Sequence, residues 1–252
     1  MFFSEPPPTR YDLRFSLAGI PIRVHPLFWL MSILIGGLTR DLVFIVIWIV
    51  AVFVSILVHE LGHAIAMRIF AQPSRIVLHI MGGLTIPEAS PFIGRWATVT
   101  QSPTQEIVIS LAGPGAGFLL AGLVLAAAAL AGGTVYMTAL FGILPLPGAF
   151  LPTGGRIVNQ FVGAMLWINA FWGFVNLMPV LPLDGGNVAR HILVRVDPVD
   201  GLRKSLWLSV IAGVIAAVAG VILFGSFYIA FLFGALAFES YQQLQGQSGR
   251  PW

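Results

Sequence analysis

Val58-His59-Glu60-Leu61-Gly62-His63-Ala64 closes a stretch of lipid-length apolar sequence, and its reading decides the rest of the chain. From Leu42 to Val58 only Ser55 interrupts the apolar residues. At 1.5 Å per residue, His59 falls about 25 Å along a helix from Leu42, within a hydrocarbon core about 30 Å thick. Ionisable groups at that depth are costly to desolvate and mark functional sites. Residues four apart share a helix face, so His59 and His63 can offer two imidazoles to one metal, with Glu60 beside them. The chain has no cysteine, so a metal must be held by His and Asp or Glu, and zinc is the natural occupant. A catalytic zinc keeps three protein ligands and an open position for water, which requires a third ligand from elsewhere.

The remaining intramembrane acid is Asp184, in Asn176-Leu177-Met178-Pro179-Val180-Leu181-Pro182-Leu183-Asp184-Gly185-Gly186. Pro179 and Pro182 remove backbone donors and end a helix. Gly185 and Gly186 permit a tight turn, so this segment can bring Asp184 back against the His-bearing span as the third ligand. The other reading makes Asp184 a helix cap that accepts from the N–H groups of Asn187 and Val188. The His pair favours the ligand.

At 58% apolar and 9% charged residues, with a mean hydropathy of +0.92, the 252 residues describe a polytopic membrane protein rather than a soluble domain. A pI near 9.8 does not indicate nucleic acid, because the basic residues scatter near span ends instead of clustering with aromatics. Met1 to Ser16 carries Glu5, Arg10, Asp12 and Arg14 around prolines and lacks the apolar region of a signal peptide, so the N-terminus is expected to be retained. Apolar stretches mark six spans: Pro26 to Leu38, Leu42 to Phe70, Glu106 to Ala131, Ile157 to Met178, Leu206 to Phe224 and Phe227 to Tyr241. With the N-terminus inside, only Arg40 and Arg156 of the 13 basic residues fall outside, which favours a multi-pass protein with both termini cytoplasmic. Arg75 to Ile86 is rich in β-branched residues and breaks at Gly82-Gly83. It reads as a strand or re-entrant hairpin, which membrane depth tolerates only under protein cover or beside a wet cavity. Gly132 to Arg156 reads as an outer loop, since Val135 to Leu144 is too short to span. The expected fold is all-α and polytopic, with about six transmembrane helices and a re-entrant β-hairpin or loop between spans two and three.

His59-Glu60-Leu61-Gly62-His63, the Gly82-Gly83 turn, Ser110-Leu111-Ala112-Gly113-Pro114 and the segment Asn176 to Gly186 follow one another in the order found in site-2 proteases. The chain thus resembles that family of intramembrane zinc metalloproteases over most of its length. Each motif alone is modest, and their combination is specific. Members often carry Asn shortly after Ala-Gly-Pro, where this chain has Gly115-Ala116-Gly117-Phe118, which puts in doubt any contact that Asn would make. The chain lacks the length for PDZ or CBS modules. It resembles a single transmembrane metalloprotease domain over 1–252, with a catalytic core of about 20–195 and two additional C-terminal spans at about 203–242.

The resemblance implies one zinc ion per chain, held by His59, His63 and Asp184, with Glu60 passing a proton from water to the leaving amine. Asn176, and Asn169 one helical face earlier, could donate to the substrate backbone or a developing oxyanion. Their other reading is interhelical hydrogen bonding. The implied reaction is peptide-bond hydrolysis within transmembrane segments of membrane proteins, as in regulated intramembrane proteolysis. The implied partners are a transmembrane-helix substrate and the lipid bilayer, with room for a homo-oligomer or a regulatory membrane partner. The hairpin at Arg75 to Ile86 could pair with an unwound substrate or merely cover the site.

A catalytically silent relative would lack one of His59, Glu60, His63 or Asp184, and all four are present. A metal transporter would need polar residues on both sides of the site, and Leu42 to Val58 supplies only Ser55. His79 reads as a hydrogen-bonded loop residue, and His25 and His191 as interfacial.

Overall fold

The computed structural model describes residues 5–36, 41–88, 102–140, 142 and 144–248. They fall into two compact units, one of Met1–Thr100 with Ala112–Gly173 and one of Gln101–Leu111 with Phe174–Trp252.

In the first unit, β1 (Leu13–Leu17) and β2 (Ile20–Val24) form a hairpin that leads into α1 (Pro26–Ile35) and α2 (Leu42–Ile69). The chain then returns as a second hairpin, β3 (Ser74–His79) and β4 (Gly82–Pro87). The four strands make one sheet in the order β1-β2-β3-β4; β2 and β3 run parallel, with Ile22 opposite Ile76, and the other pairs are antiparallel. Alternation in β2 buries Ile20, Ile22 and Val24 and turns Pro21 outward, as period-two side chains require. These residues join Phe28, Ala51, Ala64, Ile76 and Leu78 in one core that the sheet shares with α2.

Local chemistry sets the helix starts. Pro26 occupies the first turn of α1, where its missing N–H is harmless, and His25 Nδ1 accepts from Leu27 N–H as the cap. Asp41 caps α2 by accepting from Phe44 N–H, and also pairs with Arg156 near the start of α4 (Gly155–Asn176). The N-terminal ends of α2 and α4 therefore lie at one level. Between them run α3 (Pro103–Leu130) and a separate hairpin, β5 (Thr134–Leu140) with β6 (Leu144–Phe150).

The second unit holds α5 (Asp184–Val196), α6 (Gly201–Phe224) and α7 (Phe227–Ser248). Gly225 adopts a left-handed conformation at the end of α6, which glycine supplies without steric penalty. Leu181, Leu206 and Leu244 form its core cluster, and Ser209 Oγ accepts from Leu181 N–H at 3.1 Å.

Among the described residues, four helices are long and apolar enough to cross a membrane: α2, α3, α4 and Gly201–Leu223 of α6. The expected first span is a ten-residue helix, about 15 Å long and half a hydrocarbon core. The expected sixth, α7, becomes polar from Glu239 onward and keeps too short an apolar run. The all-α expectation also needs correction, since the chain is mostly helical but adds the four-stranded sheet and the β5–β6 hairpin. The expected hairpin at Arg75 to Ile86 is β3–β4, with its turn at Ile80-Met81. Within the segment Gly132 to Arg156, read as an outer loop, run β5 and β6. Arg40, Arg95 and Arg250, used in the charge balance, lie outside the described residues.

Candidate metal centre

The four-residue spacing on α2 does what helix geometry demands. His59 Nε2 and His63 Nε2 face each other at 3.2 Å, with their ring planes 77° apart. Two nitrogens bound at about 2.0–2.1 Å to one tetrahedral zinc would be about 3.3 Å apart. The pair is thus already spaced for shared ligation. One carboxylate oxygen of Glu60 and one nitrogen from each ring all lie within 4.8 Å of one another. All three residues are buried, at 5%, 6% and 8% exposure for His59, Glu60 and His63. A nitrogen pair at chelating distance beside a buried carboxylate fits a divalent cation of borderline softness.

Two glycines let α3 approach this part of α2. A methyl group on Gly113 would overlap Nε2 of His63, and one on Gly62 would overlap the carbonyl oxygen of Ala112. Small residues at a membrane helix seam permit such backbone approach. The Ala112-Gly113-Pro114 stretch therefore has a local reason: it is the notch that receives the His63 ring.

Glu60 is held from the other side by β4. Thr85 Oγ1 donates to Glu60 Oε2 at 2.7 Å and lies 3.1 Å from the Glu60 backbone carbonyl. Gly83, two residues earlier on the same strand face, packs against the Glu60 side chain so closely that a methyl would overlap Cγ and Oε1. Gly82 serves a different purpose, with φ of +116° at the hairpin turn, a conformation that glycine adopts freely.

The other sequence-predicted residues divide cleanly. Asn169 Nδ2 donates to Ser55 Oγ and to Met165 carbonyl, both at 2.8 Å. Both of its N–H groups are used, so interhelical bonding is the reading realised. Asn176 is the last residue of α4 and is buried; Asp184 is the first residue of α5, and both belong to the second unit. The cap position of α5 is Leu183 rather than Asp184, which places the Asp184 carboxylate in the first turn, favoured by the helix dipole. Methyl groups on Gly185 and Gly186 would overlap backbone atoms of Leu177, Val180 and Leu181, so this glycine pair makes the fold-back that the prolines begin.

His79 ends strand β3 rather than lying in a loop, and its Nδ1 accepts from Met81 N–H at 3.4 Å. Burial holds its pKa below the ordinary value, helped by nearby His25 and Arg23. His25 is buried and caps α1. On α5, burial lowers the pKa of His191, Glu106 opposes and Arg190 adds to the lowering. Sequence reasoning did not single out Thr85, although it is the one hydroxyl of β4 and shares a strand face with Gly83.

Comparison with known proteins agrees with this geometry. The family model described as Peptidase family M50 matches residues 47–218. Zinc metalloprotease MJ0392 of Methanocaldococcus jannaschii is 29% identical over 189 residues, covering 73% of this chain and 46% of its own. The chain thus spans about half the length of the curated relatives it matches. The solved Site-2 Protease from Methanocaldococcus jannaschii superposes with a TM-score of 0.51 at 25% identity, covering 96% of this chain and 97% of that one. With its His-Glu-x-x-His helix, its Gly-Gly hairpin and the match across more than half its length, the chain belongs to peptidase family M50, the site-2 proteases.

Proposed function

We propose that this protein is an intramembrane zinc endopeptidase that hydrolyses peptide bonds within transmembrane segments of other membrane proteins. The observation that carries the reading is the buried trio of His59, Glu60 and His63, with the two ring nitrogens 3.2 Å apart on a helix of membrane-spanning length. His59 and His63 would hold the zinc through Nε2, with the Asp184 carboxylate as third ligand. A zinc held there would supply Lewis-acid activation of the attacking water. Glu60 would accept a proton from the water as its oxygen bonds the carbonyl carbon, and would deliver that proton to the amine as the C–N bond breaks. Asn176 donates to the substrate backbone. Among the described residues β4 ends the strand order of its sheet, so its outer edge would be available to pair with a substrate segment unwound into an extended strand. The same reading keeps both termini cytoplasmic, with the site towards the inner leaflet and α1 and α7 completing the membrane-embedded helices.

The test is cleavage of a panel of labelled single-span substrates by the purified protein in liposomes, beside Glu60→Gln, with zinc quantified in both. Wild type should cut, and the zinc-loaded variant should be slower by roughly 10²- to 10⁴-fold, the usual weight of a general base. A folded wild type without zinc, or a variant that cuts at the wild-type rate, would overturn the assignment.

A further inference from the structure

We infer that Thr85 is a positioning residue for Glu60, an assignment that rests on the proposed function. A glutamate side chain has three rotatable bonds, and general-base catalysis needs one of its oxygens held within hydrogen-bond reach of the attacking water. On α2, helix geometry fixes only where the Glu60 side chain begins. What fixes where it ends is β4. Thr85 has a single hydroxyl proton, and among the described residues it reaches two acceptors on Glu60: Oε2 at 2.7 Å and the backbone carbonyl at 3.1 Å. The shorter contact takes the proton. Branching at Cβ restricts the Thr85 rotamer, so the hydroxyl is a stiff post rather than a swinging one.

Gly83 completes the device. Its Cα sits where any side chain would overlap Cγ and Oε1 of Glu60. One carboxylate oxygen is therefore bonded to Thr85 and the other lies along the Gly83 backbone, which fixes the plane of the carboxylate. Strand alternation explains why residues 83 and 85 act together and Leu84 does not. The edge strand proposed to receive the substrate is also the strand that aims the base, so substrate register and base orientation are set by one element.

The test compares Thr85→Val, Thr85→Ala and Thr85→Ser in the full chain in liposomes, with Glu60→Gln and the double variant Thr85→Val/Glu60→Gln. Valine and alanine should lower kcat by about tenfold to a hundredfold, the scale of a small misplacement of a reacting group, with KM, zinc content and thermal midpoint near wild type. Serine, which keeps the hydroxyl, should restore kcat to within about threefold of wild type on the same positioning argument. In the Glu60→Gln background the valine substitution should cost nothing more, because Thr85 acts through Glu60. Wild-type kcat in Thr85→Val, an equal loss in Thr85→Ser, or a further loss in the double variant below the residual rate of Glu60→Gln would each overturn the assignment. If Glu60→Gln itself cuts like wild type, the proposed function fails and this inference with it.

Discussion

β3–β4 and β5–β6 are both short antiparallel hairpins inserted between apolar helices, yet they have opposite surroundings. Strand β3 is almost wholly covered, with Ile76, Val77 and Leu78 at 0% exposure, and β4 presses Gly83 and Thr85 onto a buried carboxylate. Strand β5 exposes Val135, Tyr136 and Met137, and β6 carries Pro145 and Pro147, which withhold two backbone donors from the ladder. The first hairpin belongs to a four-stranded sheet stapled by charge: Glu5 bonds to Arg23 and Arg75, and Asp12 bonds to Arg23. Among the described residues the second pairs with no further strand, and its strands carry no Asp, Glu, Lys or Arg. Secondary structure alone thus says little about a hairpin's task. The group it is packed against decides whether it serves chemistry.

The largest expected difference is at the paired glycines. Gly83→Ala should reduce cleavage by more than about a hundredfold, since the new methyl displaces the Glu60 carboxylate by the order of an ångström. Gly148→Ala on β6 also meets a neighbour, the Tyr136 ring, but that ring is half exposed and can swing away. Its cleavage should remain near wild type, measured as kcat/KM on the same substrate. Equal losses at both positions would break the contrast.

A smaller effect should appear in acid. Burial pushes the Asp12 pKa up, but the Thr9 hydroxyl and N–H, together with Arg23, outweigh it and bring the carboxyl down to about 2. Arg75 lowers that of Glu5 through its hydrogen bond, against opposing burial and with Arg23 adding to the lowering. A carboxyl whose folded pKa is depressed contributes stability above its unfolded value and loses it as pH falls through the folded one. Between about pH 4.5 and pH 2, amide-exchange protection corrected for intrinsic rates should therefore fall in β1 and β2 and hold in β5 and β6. Asp12→Asn, the mildest of these changes, should lower protection of β1 already at neutral pH and shrink its acid response. An unchanged profile would show that the ion pairs do not hold the sheet.

The His59–His63 face was legible because a fixed helical period converts a spacing of four into a shared face, and the apolar run supplied the depth. The fold-back before Asp184 was legible from its prolines and glycines, which constrain backbone rather than packing. Thr85 was not, because alternation tells which residues of β4 share a face but not which face meets α2. The parallel pairing of Ile22 with Ile76 joins segments separated by two helices, and no local pattern carries such a partner. The extent of α1 was harder to read, because apart from Ser32 and Gly36-Gly37 the stretch Pro26 to Leu38 is apolar, while the helix ends at Ile35.

That β2–β3 pairing has a consequence for biogenesis. Strand β2 is made early but finds β3 only after the whole of α2 has been synthesised and placed, and contacts so distant in sequence form late because the intervening loop must first be closed. The face of β4 that carries Gly83 and Thr85 is ordered through β3. Under the proposed function, a nascent chain that has inserted its His-bearing helix would have its ligands before its base is oriented, and proteolytic competence would arrive with closure of the sheet.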